Sequence, residues 1–86
     1  MILTRHTTDS FLASLTANAM EAANADVFSI TYDGRRWYLW AKVPEGFDSA
    51  AMDRLISAHI AKGLAVKEAR QQWLTEQSVK ASTIAP

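Results

Sequence analysis

Two β-prone runs joined by Asp33-Gly34 constrain the fold of this chain more than any other feature. Residues 27–32 and 35–43 are rich in β-branched and aromatic side chains. An Asp-Gly pair between such runs is typical of a β-hairpin. Because successive side chains of a strand point to opposite faces, the hairpin predicts one face turned to a core and one turned elsewhere.

Two registers are open, and both give the same two faces. A two-residue loop pairs Tyr32 with Arg35, whereas a four-residue loop pairs Tyr32 with Trp37. In both registers the predicted core face consists of Phe28, Ile30, Tyr32, Trp37, Leu39 and Ala41. The opposite face carries Val27, Ser29, Thr31, Arg36, Tyr38, Trp40 and Lys42.

A helix is predicted before the hairpin. Thr7, Thr8 or Asp9 can cap its first turn, because their oxygens accept hydrogen bonds from unpaired backbone N–H groups. The apolar residues that follow have helical spacing and are Phe11, Leu12, Leu15, Ala19 and Ala22. Asn24 is expected to end the helix. The lead-in over 1–4 is either a frayed end or a short strand beside the hairpin.

Two further helices are predicted after the hairpin. Asp48 is expected to cap the first of them, with Phe47 and Met52 forming a hydrophobic staple. Gly63 predicts its end, since glycine supplies the left-handed conformation of a helix C-cap. A third helix is expected from Val66 and is the one element left to cover the second hairpin face.

These elements predict a small α+β domain in the order helix, hairpin, helix, helix (αββαα). A single domain is expected over residues 1–78, with a loose tail over 79–86 where helical periodicity is lost. Two strands alone are marginally stable, so the hairpin is expected to be antiparallel and packed on helices.

Composition narrows the function classes. Nine basic and nine acidic residues give a net charge of zero, which argues against a general affinity for phosphate backbones and mildly favours self-association as a homodimer. The chain has no cysteine, which excludes disulfides and thiol catalysis and is compatible with a reducing compartment. No apolar run reaches the length that crosses a bilayer, so we expect a cytoplasmic protein without membrane contact.

No arrangement of residues predicts catalysis. His6 and His59 are far apart and belong to no metal-binding motif, and the three glycines are isolated. Asp53, Ser57 and His59 are neighbours on one helix rather than parts of a converging site. We therefore expect no enzymatic activity, no metal and no cofactor.

The second hairpin face predicts binding to another protein chain. Its candidate residues are Arg35, Arg36, Tyr38, Trp40 and Lys42. Aromatic side chains beside arginine are enriched at the centres of protein interfaces. We therefore interpret the chain as a non-catalytic protein-binding module, an accessory, regulatory or inhibitor protein of the small kind found in bacteria, phages or mobile elements. Its partner is expected to be a second copy or a larger target.

Nucleic-acid binding is the alternative. Alternating basic and aromatic side chains on the same face could stack bases and hold phosphates. The third helix offers Lys67, Arg70 and Gln71, which are suitable donors to base edges. The helices around Gly63 have the turn glycine of a helix-turn-helix. However, His59 and Gln72 stand where that motif has a small and an apolar residue.

Overall fold

The computed structural model describes the backbone of residues 1–84 and the side chains of residues 1–78. The elements are β1 (Ile2–Thr7), α1 (Ser10–Ala22), β2 (Asp26–Tyr32), β3 (Trp37–Lys42) and α2 (Ser49–Ile84). The three strands form an antiparallel sheet in the order β1-β3-β2. The α+β class is confirmed. The short N-terminal strand exists as β1, and it makes β3 the central strand.

The hairpin loop has four residues, so the four-residue register is the correct one. Tyr32 lies opposite Trp37, and the loop runs from Asp33 to Arg36. The Asp33 N–H donates to the Arg36 carbonyl at 3.2 Å, and the Asp33 Oδ1 accepts from the N–H groups of Arg35 at 2.8 Å and Arg36 at 2.7 Å. Gly34 has a φ of 94°, which explains the glycine at this position.

A β-bulge in β2 exchanges two side chains between the faces of the sheet. Ile30 pairs with Leu39 as predicted, but the register shifts between Val27 and Ser29, so that Val27 pairs with Ala41. Val27 packs against the buried core, while Phe28 is 48% exposed. The prediction that Phe28 faces the core and Val27 faces away is therefore wrong, because one extra residue reverses the alternation.

Helix α1 covers one face of the sheet. Of the three predicted caps, Asp9 is the one that caps the helix, with its Oδ1 accepting from the Phe11 N–H at 2.7 Å. The buried side chains of α1 are mostly small: Ala13, Thr16, Ala19 and Met20. They let the helix lie close to Leu39 and Ala41, which are fully buried. This face differs from the predicted stripe, since Phe11 and Leu15 line the side of α1 that faces α2.

The hairpin end of the covered face is only partly protected. Ile30 and Tyr32 share this face with Leu39 and Trp37 by register, yet both are about half exposed. The Tyr32 and Trp37 rings lie against each other with centroids 4.7 Å apart. The predicted core face thus contains a true core at one end, while at the other end Trp37 packs against the core and Tyr32 is about half exposed.

Helix α2 begins as predicted but does not end at Gly63. The Asp48 Oδ1 accepts from the Ala51 N–H at 3.0 Å. Met52 is fully buried, and Phe47 packs against the same cluster. The helix then runs through Gly63 to Ile84, so the predicted break into two helices is wrong. Strong helix formers on both sides make a continued helix more favourable than a turn.

The last residues were expected to form a loose tail over 79–86. The backbone of α2 remains helical to Ile84, while residues 85–86 and the side chains beyond 78 lie outside the described part of the chain. The boundary at 78 therefore does not coincide with a helix end. Within the described residues, neither helix has an apolar stretch long enough to cross a membrane.

Candidate binding surfaces

One face of the sheet carries no helix. Helix α1 packs on the other face, and α2 packs mainly on α1, with Met52 near its start reaching the same core cluster as Leu39 and Ala41. We call the uncovered side the open sheet face. Register places on it Ile2, Thr4, His6, Asp26, Ser29, Thr31, Tyr38, Trp40 and Lys42, and the bulge adds Phe28. Three large apolar side chains are exposed here: Ile2 at 59%, Phe28 at 48% and Trp40 at 37%.

The aromatic side chains of the central strand are held in place. The Trp40 Nε1 donates to the Thr31 Oγ1 at 3.3 Å. The Tyr38 hydroxyl donates to the Asp33 Oδ2 at 3.2 Å, and its ring lies 6.0 Å from the His6 ring, centroid to centroid. Side chains that are already ordered lose less entropy when a partner binds.

The predicted partner-binding residues fall into two groups. Tyr38, Trp40 and Lys42 alternate along β3 and share the open sheet face. Arg35 and Arg36 lie in the exposed hairpin loop at the end of that face. The predicted third helix, the one element left to cover this face, does not reach Tyr38 and Trp40, because that segment continues α2, which packs on α1.

Phe28 is the residue of this face that sequence reasoning missed. The Lys42 Nζ lies 5.6 Å from the centroid of its ring, which places Phe28 beside the predicted set. Strict alternation assigns it to the core. A bulge at this position has no clear sequence signal, since β2 contains neither glycine nor proline.

The loop carboxylate of Asp33 has a perturbed pKa. Its pKa is lowered from its ordinary value, chiefly by the Arg36 N–H and then by the Arg35 N–H, which stabilise the ionised form. Asp33 is fully exposed, so the arrangement is a turn-stabilising contact and does not suggest a catalytic acid.

The alternative set of residues lies on a different surface. Lys67, Arg70 and Gln71 line an open cavity of about 860 Å³ between α1 and α2, which we call the helix groove. The Lys67 Nζ lies 4.8 Å from the centroid of the Phe11 ring. The two sets of residues proposed for nucleic acids therefore do not form one surface.

The histidines and their neighbours are engaged in local contacts. The His59 Nδ1 lies 3.0 Å from the Leu55 carbonyl oxygen one turn earlier. Asp53 accepts two hydrogen bonds from the Arg5 guanidinium, at 2.8 and 3.1 Å, and so it does not face His59 as a catalytic partner would. Among the described residues, no three acidic or histidine side chains lie close enough together to hold a metal.

No protein-family model, no curated protein and no solved structure matches this chain. The function is therefore argued from the geometry of the two surfaces alone.

Proposed function

We propose that this protein is a non-catalytic binding module, an accessory or regulatory protein that docks on another protein chain through the open sheet face. One observation carries the proposal: Ile2, Phe28 and Trp40 are exposed on a sheet face that no described helix covers. The water-facing side of an antiparallel sheet is ordinarily polar. Large apolar side chains in that place are typical of an interaction surface.

The size of the exposed side chains is sufficient to anchor a partner. An aromatic side chain buries about 150–250 Å² in full, and Phe28 and Trp40 keep between a third and a half of theirs exposed. Covering the remainder is worth roughly 2 kcal/mol for each ring at 25 cal/mol per Å². That is the magnitude expected for a residue that dominates an interface.

The surroundings of these rings have the composition of an interface rim. Arg35 and Arg36 lie at the hairpin end of the face, and Asp26 and Lys42 lie opposite each other at its other end. Charged groups around an apolar centre orient a partner and remain hydrated. The face thus has an aromatic centre with basic side chains at one end.

Capture of partners by Trp40→Ala tests the proposal. The wild-type chain and the variant are immobilised and exposed to lysate of the source organism, and bound proteins are identified by mass spectrometry. The matched control is Trp73→Ala, which removes a more exposed tryptophan, 56% accessible, from α2. We expect Trp40→Ala to lose the specific partner and Trp73→Ala to keep it. Retention of every partner by Trp40→Ala would refute the proposal.

Light scattering on the pure protein identifies the kind of partner. A dimer that Trp40→Ala converts to a monomer identifies a second copy as the partner, and a monomer that captures a different protein identifies a larger target. An oligonucleotide titration at low salt separates out the nucleic-acid alternative, since phosphate contacts are strongest there. Oligonucleotide binding that Arg35→Ala and Arg36→Ala abolish, without protein capture, would replace the proposal.

A further inference from the structure

The helix groove is a second surface, and its lining residues all come from α1 and α2. Gly63 of α2 lies directly against the Leu15 side chain of α1. Further along α2, Lys67 lies beside Phe11, in the first turn of α1. Residues of α2 beyond Lys67 therefore extend past the start of α1, and the helix groove is open at that end.

The helix groove is apolar inside. Its walls include Phe11 and Leu15 from α1 and Leu55, Val66 and Leu74 from α2. Val66 is 61% exposed, and Leu74 is also exposed. On α2, Leu55, Val66 and Leu74 are 11 and 8 residues apart. These spacings are close to whole numbers of helical turns, so the three residues follow one side of the helix. The surface is thus a strip along α2 rather than a closed hole.

The charged side chains at the edge of the helix groove are all positive. Lys62, Lys67 and Arg70 line it, and none of the residues that line it is acidic. The one ion pair among the side chains of residues 1–78 joins Arg5 and Asp53, away from the groove. Three cations around an apolar floor are therefore without acidic partners in this part of the chain.

From this geometry we propose that the helix groove binds an amphipathic helix of a partner protein that carries acidic residues on both sides of its apolar stripe. Helices recognised in this way place apolar side chains at i, i+3 or i+4, and i+7 into a groove. The groove has a volume of about 860 Å³, which is within the range of pockets that bind small molecules. The acidic flanks would meet Lys62, Lys67 and Arg70.

The charges of the groove disfavour its pairing with the same groove of a second copy. In a symmetric dimer the same patch contacts itself, and that would bring the three cations of each groove against those of the other. The acidic residues of the exposed half of α2, Glu68 and Glu76, line a shallow surface of their own, separate from the groove apart from Gln71. Pairing of the groove with itself is therefore unfavourable, and we infer a different chain as the occupant.

Binding of two synthetic helical peptides tests the inference. Both carry leucine at i, i+3 and i+7, and the flanking positions are glutamate in one peptide and lysine in the other. Fluorescence anisotropy with the full chain should show the glutamate peptide binding at least about tenfold more tightly, with the difference shrinking as salt is raised. Equal affinity, or no binding of the glutamate peptide up to about 1 mM, would overturn the inference.

Two variants connect binding to the groove. Lys67→Glu combined with Arg70→Glu changes only exposed side chains and should reverse the preference between the peptides. Ala58→Phe fills the groove without altering charge and should abolish binding of both peptides. Trp40→Ala, on the open sheet face, should leave the affinity unchanged, so failure here and failure of the proposed function are separate results. Competition by an oligonucleotide that displaces the glutamate peptide would instead identify a phosphate-binding surface and overturn the inference.

Discussion

A single extra residue in β2 decides which side chains of this sheet meet the core and which meet solvent. The bulge turns Val27 towards α1 and Phe28 towards the open sheet face, where the Lys42 ammonium lies over its ring. The larger and more apolar of the two neighbours is thus the exposed one. This is the reverse of what burial alone favours, and it gives the face a third large apolar side chain.

The bulge predicts that serine lowers the free energy of unfolding at least as much at Val27 as at Phe28. Val27→Ser removes apolar contacts with the core and should lower the free energy of unfolding by about 1–2 kcal/mol. Phe28→Ser removes a ring that is only half buried and should lower it by no more than Val27→Ser does. Urea unfolding followed by circular dichroism measures both. A larger loss for Phe28→Ser would mean that the bulge is absent in solution.

The loop carboxylate of Asp33 predicts a pH dependence of hairpin stability. Its pKa is lowered in the folded state, so its contribution is present above its unfolded pKa, about 3.9, and is lost as pH falls through its folded pKa. Asp33→Ala should lower the melting temperature at pH 7. The difference from wild type should shrink in acid below about pH 4. A difference that stays constant through this range would show that the carboxylate charge is not involved.

At the scale of elements, α2 is the component that shapes the protein. A helix of 36 residues is about 54 Å long, whereas the 13 residues of α1 span about 20 Å. Part of α2 must therefore extend beyond the helix on which it packs. Gly63 is located at the contact rather than at a helix end, and a Cβ there would lie 2.5 Å from the Leu15 Cδ1.

Enlarging Gly63 tests whether the two helices need this close approach. Gly63→Leu should lower the free energy of unfolding by about 1–3 kcal/mol, because the side chain forces α1 and α2 apart despite its better helix propensity. Ala61→Leu, at an exposed position of the same helix, is the control and should change it by less than about 0.5 kcal/mol. Adding Leu15→Ala to Gly63→Leu should recover part of the loss. Equal effects of the two leucines would argue against the contact.

The features that depend on interactions within a few residues of sequence could be predicted, whereas those that depend on residues distant in the chain could not. The caps Asp9 and Asp48 and the Asp33-Gly34 turn act within a few residues, and each is found where the sequence indicates it. Gly63 has the same chemistry in a cap and in a helix contact, so only the position of Leu15 distinguishes the two. Phe28 is exposed because of the bulge, and no residue of β2 indicates a bulge from the sequence.

At the scale of the whole molecule, the sheet is covered on one side only. Among side chains 1–78, the large ones that are fully buried are Met20, Leu39 and Met52, which is a small core. The accessible surface of 6153 Å² exceeds by about 1,000 Å² the value expected of a compact protein of its mass. A standard interface buries about 800 Å² on each partner, so the molecule has enough spare surface to form one.

The isolated chain should consequently be only marginally stable. We expect a free energy of unfolding below about 5 kcal/mol, at or under the lower limit for globular domains, when measured by urea denaturation at neutral pH. A saturating partner should raise it, because ligands that bind only the folded state stabilise it. A value above about 8 kcal/mol for the isolated chain would show that the core needs no second surface to support it.

Site-specific photocrosslinking tests the central claim, that the open sheet face contacts another protein, most directly. A benzophenone amino acid is placed at Phe28 on that face, at Val66 in the helix groove and at the exposed Ser57 of α2, and each protein is irradiated in lysate of the source organism. We expect a discrete protein adduct from position 28 and none from position 57, whether or not position 66 gives one. Adducts from position 66 or 57 without one from position 28 would contradict the central claim.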